Sequence, residues 1–350
     1  MEGRRGSVTI REVAADAGVS LQTVSRVINN SLQVRPETRA KVQASVEKLG
    51  YVPLIAAQRL SGRRSYLILA LNDRDRTIAE WKARQGGDWV DQMLLGGMLK
   101  CAEYGYRLML ELVDTHSEQV ARGLGAALSA LQPDGVLLTP PHSENPQICT
   151  LLTEHGIPFV RLGARGSGAG LFVTMDEEGS ARRATQHLLD LGHERIGFIS
   201  GPSEYGLSAW RADGWESAMV EAGRDTHGLL AQGDFGYQSG LDATRRLLSS
   251  GGCTAIIASN DQMALAALEV ARQQGLEVPD DLSLVSFDNT PVVRFSQPPL
   301  TAVDQPIAEA VARAVELLLA PGEALERHEA EVVAGGFVVR ESTGPAKVNA

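Results

Sequence analysis

The amino-acid sequence predicts an all-α head joined to a larger α/β body with two parallel sheets. Three observations predict this. In the first fifty residues, apolar positions three and four apart are framed by capping residues and a glycine turn. From residue 66 onward, short apolar strands alternate with helical patterns. Charge divides at the same boundary. Residues 1–64 hold eleven Lys/Arg and five Asp/Glu, a net +6, while the 350-residue chain carries −10, leaving −16 on the body.

Residues 8–30 read VTIREVAADAGVSLQTVSRVINN. Thr9 and Glu12 have capping-box spacing, so a helix is expected to start near Ile10. Val13, Ala14 and Ala17 give it one small apolar face. Gly18 supplies the turn, because glycine enters left-handed backbone space without steric cost. Ser20 is a good N-cap for a second helix. There Val24, Val27 and Ile28 face inward, and Leu21, Gln22, Ser25, Arg26 and Asn29 lie on or near the outer face. Glutamine reads adenine and arginine reads guanine in the major groove, both through paired hydrogen bonds. An ordinary amphipathic helix pair is the bland alternative. The order of short helix, glycine turn and serine cap favours a helix-turn-helix. The DNA-contact set expected from the head is Thr9, Ser20, Leu21, Gln22, Thr23, Ser25, Arg26 and Asn29.

A third helix follows. Pro36 suits its first turn, Glu37 its positive end and Lys48 its negative end. Val42, Val46 and Leu49 mark its apolar side, Gly50 ends it and Pro53 blocks its continuation. Residues 54–62, LIAAQRLSG, are too few for a stable isolated helix and stand as a hinge. The expected division is a head at 1–53, a hinge at 54–64 and a body at 65–350.

The runs TIREVAADAGVSLQTVSRVINN, TRAKVQASVEKLGYVP and AAQRLSG together resemble the LacI/GalR family of bacterial transcription regulators, over nearly the whole chain. The resemblance implies a homodimer on a near-palindromic double-stranded operator, with Leu21, Gln22 and Arg26 reading bases. It also implies a hinge helix that drives Leu60, with Ala57 beside it, into the minor groove. Unstacking a base step is offset by the wider contact of bent DNA. Leu21 stands where some relatives carry a polar or aromatic residue, so the operator sequence does not transfer from them.

Composition sets further bounds. No apolar run is long enough to span a membrane, and the N-terminus lacks the apolar core of a signal peptide. Cys101, Cys149 and Cys253 are isolated and odd in number, as in a reduced cytoplasm, and read as core filler. A cytoplasmic protein is expected, with no metal and no cofactor. The tail after Val339 lacks leucine heptads, so a tetramer-forming coiled coil is not expected.

In the body, the expected strands are YLILAL, RLMLELV, GVLLT and PFVRL. After a crossing near residues 171–173 come RIGFIS, GLLAQ, AIIAS and LSLVSF. Residues 307–319 and 332–339 cross back. The resemblance implies two periplasmic-binding-protein-like lobes closing on a ligand, the first about 65–173 and 305–330, the second about 174–304 and 331–343.

Ligands of open α/β sheets sit at the carboxyl ends of strands. That rule selects Asn72, Asp73, residues 139–141 beginning at Thr139, residues 161–163, Asn260, Asp261 and Asp288. By resemblance, SAWRADGW places Arg211 in the effector site, ASNDQMALAAL places Asn260 and Asp261, and LVSFDNT places Asp288. Gln305 is taken with them. Arginine, carboxylates and amides suit a polyhydroxylated sugar, whose hydroxyls donate and accept. Arg211 is expected to grip two hydroxyls. Trp210 is a candidate stacking residue and Trp215 reads as core. Residues 73–92 are longer and more charged than many relatives show there. An extra helical turn whose indoles pack on the body is the favoured reading, and a lid placing Trp81 or Trp89 on a sugar ring is the other.

His187 and His193 read as structural turn histidines, Ser200-Gly201-Pro202 is not a nucleophile elbow, and no phosphate loop is present. The expected function is therefore repression of carbohydrate-utilisation genes, relieved by a sugar between the lobes, with no enzymatic activity. The residues also admit a nucleobase or protein co-effector, or a sugar-binding protein with a vestigial head.

Overall fold

The computed structural model describes residues 8–28, 33–51, 64–84, 88–115, 120–166, 168–249, 252–320 and 329–347. Asn29 and the hinge positions Ala57 and Leu60 lie outside these. The chain divides into two compact units, Met1–Tyr66 and Leu67–Ala350.

In the first unit, α1 (Ile10–Ala17) and α2 (Leu21–Ile28) precede α3 (Pro36–Leu49). The Glu12 carboxylate accepts from the Thr9 backbone N–H at 2.6 Å and from its hydroxyl at 2.9 Å. Those bonds pull the Glu12 pKa below the usual glutamate value. Gly18 takes φ +63° and ends α1. The Thr23 N–H donates to Ser20 Oγ at 3.1 Å, which caps α2. Val13, Ala14, Val24, Val27 and Val42 form one small core. Lys48 bonds Asp16 at 2.7 Å and ties α3 to α1.

The second unit holds two six-stranded sheets. The first lobe contains β1 (Leu67–Asp73), α4 (Arg74–Ala83), α5 (Asp88–Glu103), β2 (Arg107–Val113), α6 (Val120–Leu131), β3 (Gly135–Leu138), α7 (Pro146–Glu154), β4 (Phe159–Leu162) and β5 (Leu171–Met175). The second lobe contains α8 (Glu177–Asp190), β6 (Ile196–Ser200), α9 (Gly206–Glu221), β7 (Leu230–Gln232), α10 (Tyr237–Ser249), β8 (Ala255–Ala258), α11 (Asp261–Gln273), β9 (Ser283–Asp288), α12 (Pro291–Arg294) and β10 (Thr301–Asp304). The chain then returns to the first lobe for α13 (Ile307–Leu319) and β11 (Glu331–Val333), and crosses a last time to β12 (Gly336–Val338).

The first sheet runs β11-β5-β4-β3-β1-β2 and the second β12-β10-β9-β8-β6-β7. Every pairing is parallel except β10 with β12. Helices on both faces explain the unbroken apolar strands. In β1, Ala70 packs toward the α5 and α13 side, and Leu69 and Leu71 toward the α6 and α7 side. Gly96 is required on α5, because a Cβ there would lie 2.0 Å from the Ala308 carbonyl oxygen of α13.

One expectation is corrected. Residues 331–333 pair with β5, so they belong to the first lobe rather than to a second-lobe segment of about 331–343. The strand β10 is not among the strands that the sequence predicts. Its four residues, TAVD, hold only two apolar positions between polar ends, unlike the equally short apolar runs of β3 and β8.

Candidate DNA-reading surface and ligand cleft

On the head, helical geometry sorts the residues as their spacing requires. Val24 and Val27 are buried, whereas Leu21, Gln22 and Arg26 are exposed and Thr23 and Ser25 are half-buried. Thr9 and Ser20 are exposed at the helix starts. This leaves a polar face on α2 headed by one exposed leucine, with donors and acceptors of the kind that base edges pair with.

In the body, a cavity opens at the carboxyl ends of β1, β8 and β9. It is lined by Asp73, Arg211, Asn260, Asp261 and Asp288, which the strand-end rule and the effector motifs select, and by residues that those readings missed. The geometry shows which side chains retain bonding capacity.

Arg211 projects from α9 and is 4 % exposed. Its Nε donates to Glu177 Oε2 at 2.6 Å and its Nη1 to the Ser259 carbonyl, with the guanidinium 4.6 Å from the Phe287 ring centre. Arg211 therefore reaches the cavity already held on two sides, with Nη2 as the nitrogen left for a ligand. Asn260 caps α11 by accepting the Met263 N–H and donates to the Phe235 carbonyl at 2.7 Å. Asp261 accepts from the Ser286 hydroxyl and from the Thr290 N–H, fastening the start of α11 to the loop after β9.

Asp288 is set apart by its backbone, at φ +88°, followed by Asn289 at +59°. Asn289 holds this turn by donating to Asp304 and accepting from Arg340. Positive φ at two successive side-chain-bearing residues is uncommon, and such strain concentrates at functional sites. The Asp288 carboxyl is pushed up to about 7, mainly by burial, with Arg211 opposing the rise and Asp261 and Glu177 adding to it. Burial likewise pushes Asp261 up to about 6, although its hydrogen bonds oppose the shift.

Asp73 ends β1 and caps α4, accepting the Arg76 N–H at 2.7 Å. The structure corrects three expected ligand contacts, none of which lines the cavity. Thr139 is buried, with its hydroxyl 2.7 Å from the Leu71 carbonyl oxygen and 2.8 Å from Asn72 Oδ1. Gln305 donates to Glu177 Oε2 at 3.2 Å, behind Arg211. Trp210 carries the Arg165 guanidinium 4.4 Å from its ring centre.

The lining residues that the sequence reading did not select include two aromatic rings and a cation. Phe235 and Tyr205 meet edge to face at 5.6 Å and form a corner of the cavity, and Trp89, Arg76, Glu80 and Gln262 complete its wall. Phe235 follows β7, so the strand-end rule covers it once the GLLAQ strand is included. Trp89 lies in the unusual segment 73–92, where it lines the cavity and packs on the core, while Trp81 is half exposed to solvent.

His193 is structural: its ring nitrogens lie 2.9 Å from Thr254 Oγ1 and 3.1 Å from both Ser283 Oγ and the Gly344 carbonyl oxygen. Among the described residues, no cluster of His, Cys, Asp and Glu is placed to hold a metal, and no helix is long and apolar enough to cross a membrane.

Comparisons with known proteins agree with this layout. Residues 9–53 match the family described as bacterial regulatory proteins, lacI family, and residues 185–343 match the periplasmic binding protein-like domain. The HTH-type transcriptional regulator CelR of Thermobifida fusca is 36% identical over 291 residues, covering 81% of this chain and 83% of that protein. The lactose operon repressor of Escherichia coli K12 is 29% identical over 289 residues, covering 80% and 75%. A structure of a CelR–cellobiose complex superposes with a TM-score of 0.70 at 34% identity, covering 96% of this chain and 99% of that one. The lac repressor dimer bound to operator and the anti-inducer ONPF gives 0.76 at 26% identity, covering 97% and 100%.

Proposed function

This chain belongs to the LacI family of bacterial regulatory proteins, and from that premise we propose that it represses carbohydrate-utilisation genes until a sugar enters the cleft of its body. It is a DNA-binding transcriptional regulator, as the relatives named above are. One observation carries the sugar reading. The cavity combines an aromatic corner, Phe235 and Tyr205, with Arg211 Nη2 and the Asp288 carboxyl. Apolar ring faces cover the C–H face of a pyranose, and charged groups bond its hydroxyls.

In this reading, Arg211, Asp288, Asn260, Asp261 and Asp73 form the effector shell, with Thr139 and Gln305 supporting it from behind. Gln22 and Arg26 read the operator, with Leu21, Thr23, Ser25, Thr9, Ser20 and Asn29 around them. Leu60, beside Ala57, wedges the minor groove. The regulator works as a cytoplasmic homodimer without catalytic activity. Leu95, Met98 and Leu99 on α5 and Met109 on β2 are exposed large apolar side chains of the first lobe, suited to a partner. Effector binding shifts the lobes and disfavours the hinge helices. A tenfold loss of operator affinity needs only ~1.4 kcal/mol of differential binding.

The test is fluorescence anisotropy on the promoter fragment beside its own gene, across a salt series, with and without cellobiose. Steep salt dependence and release by sugar are expected. Binding that ignores both salt and every sugar tried sinks this reading.

A further inference from the structure

The helix α4 carries a cation across the cleft. Arg76 starts on the first lobe, one turn after β1, and its Nη1 donates to the Asp234 carbonyl of the second lobe at 3.1 Å. Its guanidinium carbon lies 4.9 Å from the Phe235 ring centre and 5.7 Å from that of Tyr205. It thus fills the corner that the two rings make.

Three contacts fix it there. Glu80, one turn along α4, bonds Arg76 Nε at 2.8 Å. Asp73 caps the helix through the Arg76 N–H. Asn72 donates to Thr77 Oγ1 at 2.7 Å, and Thr77 donates to the Asp73 carbonyl, locking the first turn to the end of β1. With Arg76 in place, the cavity keeps about 150 Å³ of open space. Ligand pockets usually start near ~300 Å³.

We propose that Arg76 is a built-in occupant of the effector cleft, and that a ring-shaped effector binds by displacing it from Phe235 and Tyr205. The inference rests on the sugar reading of the cleft given above. It follows from exclusion: a pyranose stacked on Phe235 needs the volume that the guanidinium holds. The same residue ties the two lobes together, so displacement exchanges an intramolecular tie for one made through the ligand. Arg76 then sets the affinity threshold, and ligands without a stacking face fail to open the corner.

The experiment uses full-length protein and two readouts. In calorimetry with cellobiose as the probe, Arg76→Ala should bind about tenfold tighter than the unmodified chain, equivalent to ~1.4 kcal/mol. Glu80→Ala, which removes the anchor of Arg76, should move the same way by a smaller factor. Weaker or unchanged binding in Arg76→Ala overturns the proposal, since a direct ligand contact loses affinity when truncated.

The second readout needs no sugar. With Phe235→Trp as a reporter, read by difference from the matched protein that keeps Phe235 because four native tryptophans also emit, Arg76→Ala should at least double the acrylamide quenching of the new indole. Unchanged quenching overturns the proposal. If cellobiose, lactose and ribose all fail to bind every variant, the sugar reading falls, while quenching still decides whether Arg76 covers the rings.

Discussion

Glu177 Oε2 accepts Arg211 Nε at 2.6 Å with both side chains buried, so this cavity-lining arginine has a counter-charge within the protein itself. Glu177 Oε1 and Gln305 Oε1 lie buried beside this pair with no hydrogen-bond partner among the described residues. Removing one member of a buried pair strands the other charge. Glu177→Ala should therefore lower the stability of the body by ~3–5 kcal/mol in urea unfolding. A loss below ~1 kcal/mol, the range of exposed pairs, would show that water reaches the pair.

Asp261 and Asp288 give the body a pH dependence of known sign. Their folded values, about 6 and about 7, stand above the unfolded aspartate value of ~3.9. The folded state then binds more protons between those limits. The stability they contribute is full below pH ~4 and is lost as pH rises through 6 and 7. Asp288→Asn should raise the thermal midpoint at pH 8 and leave it almost unchanged at pH 4. Equal gains at both pH values would remove proton linkage as the cause.

On the head, Arg26→Ala and Gln22→Ala should each cost ~1–3 kcal/mol of specific operator binding and relax preference at one base pair. Their binding to random DNA should change little in comparison. Competition anisotropy with both DNAs measures the difference. Parallel losses on the two would reassign these residues to phosphate contact.

Leu60→Ala tests the hinge expectation, which rests on sequence. A wedge that unstacks a base step matters only where DNA is bent into the specific complex. The variant should lose specific binding far more than non-specific binding. Equal losses in the same competition assay would assign Leu60 to general packing.

Much of this molecule is legible in its sequence because the signals are local. Thr9, Gly18 and Ser20 set the helix boundaries of the head through bonds spanning no more than five residues. The strand-end rule reached Asp73, Asn260, Asp261 and Asp288 because each of the two parallel sheets gathers its carboxyl ends on one edge, and both edges border the cavity. The losses have physical reasons. Trp210 neighbours Arg211, yet successive helix residues point about 100° apart, so a pocket-facing arginine turns its neighbour away. Thr139 and Gln305 sit near the cavity but find partners behind it, as buried polar groups do. Arg76 was hidden because its contacts, Asp234, Phe235 and Tyr205, are more than 120 residues away in the chain.

The glycine at position 96 has a mechanical meaning. The helix α13 begins where the chain re-enters the first lobe, and its Ala308 carbonyl oxygen lies where a Cβ on Gly96 would stand. No layer of side chains separates the two backbones there, so nothing between them can slip or re-pack. A side chain added at position 96 would therefore have to prise α13 away from α5, the helix that also carries the exposed Leu95, Met98 and Leu99.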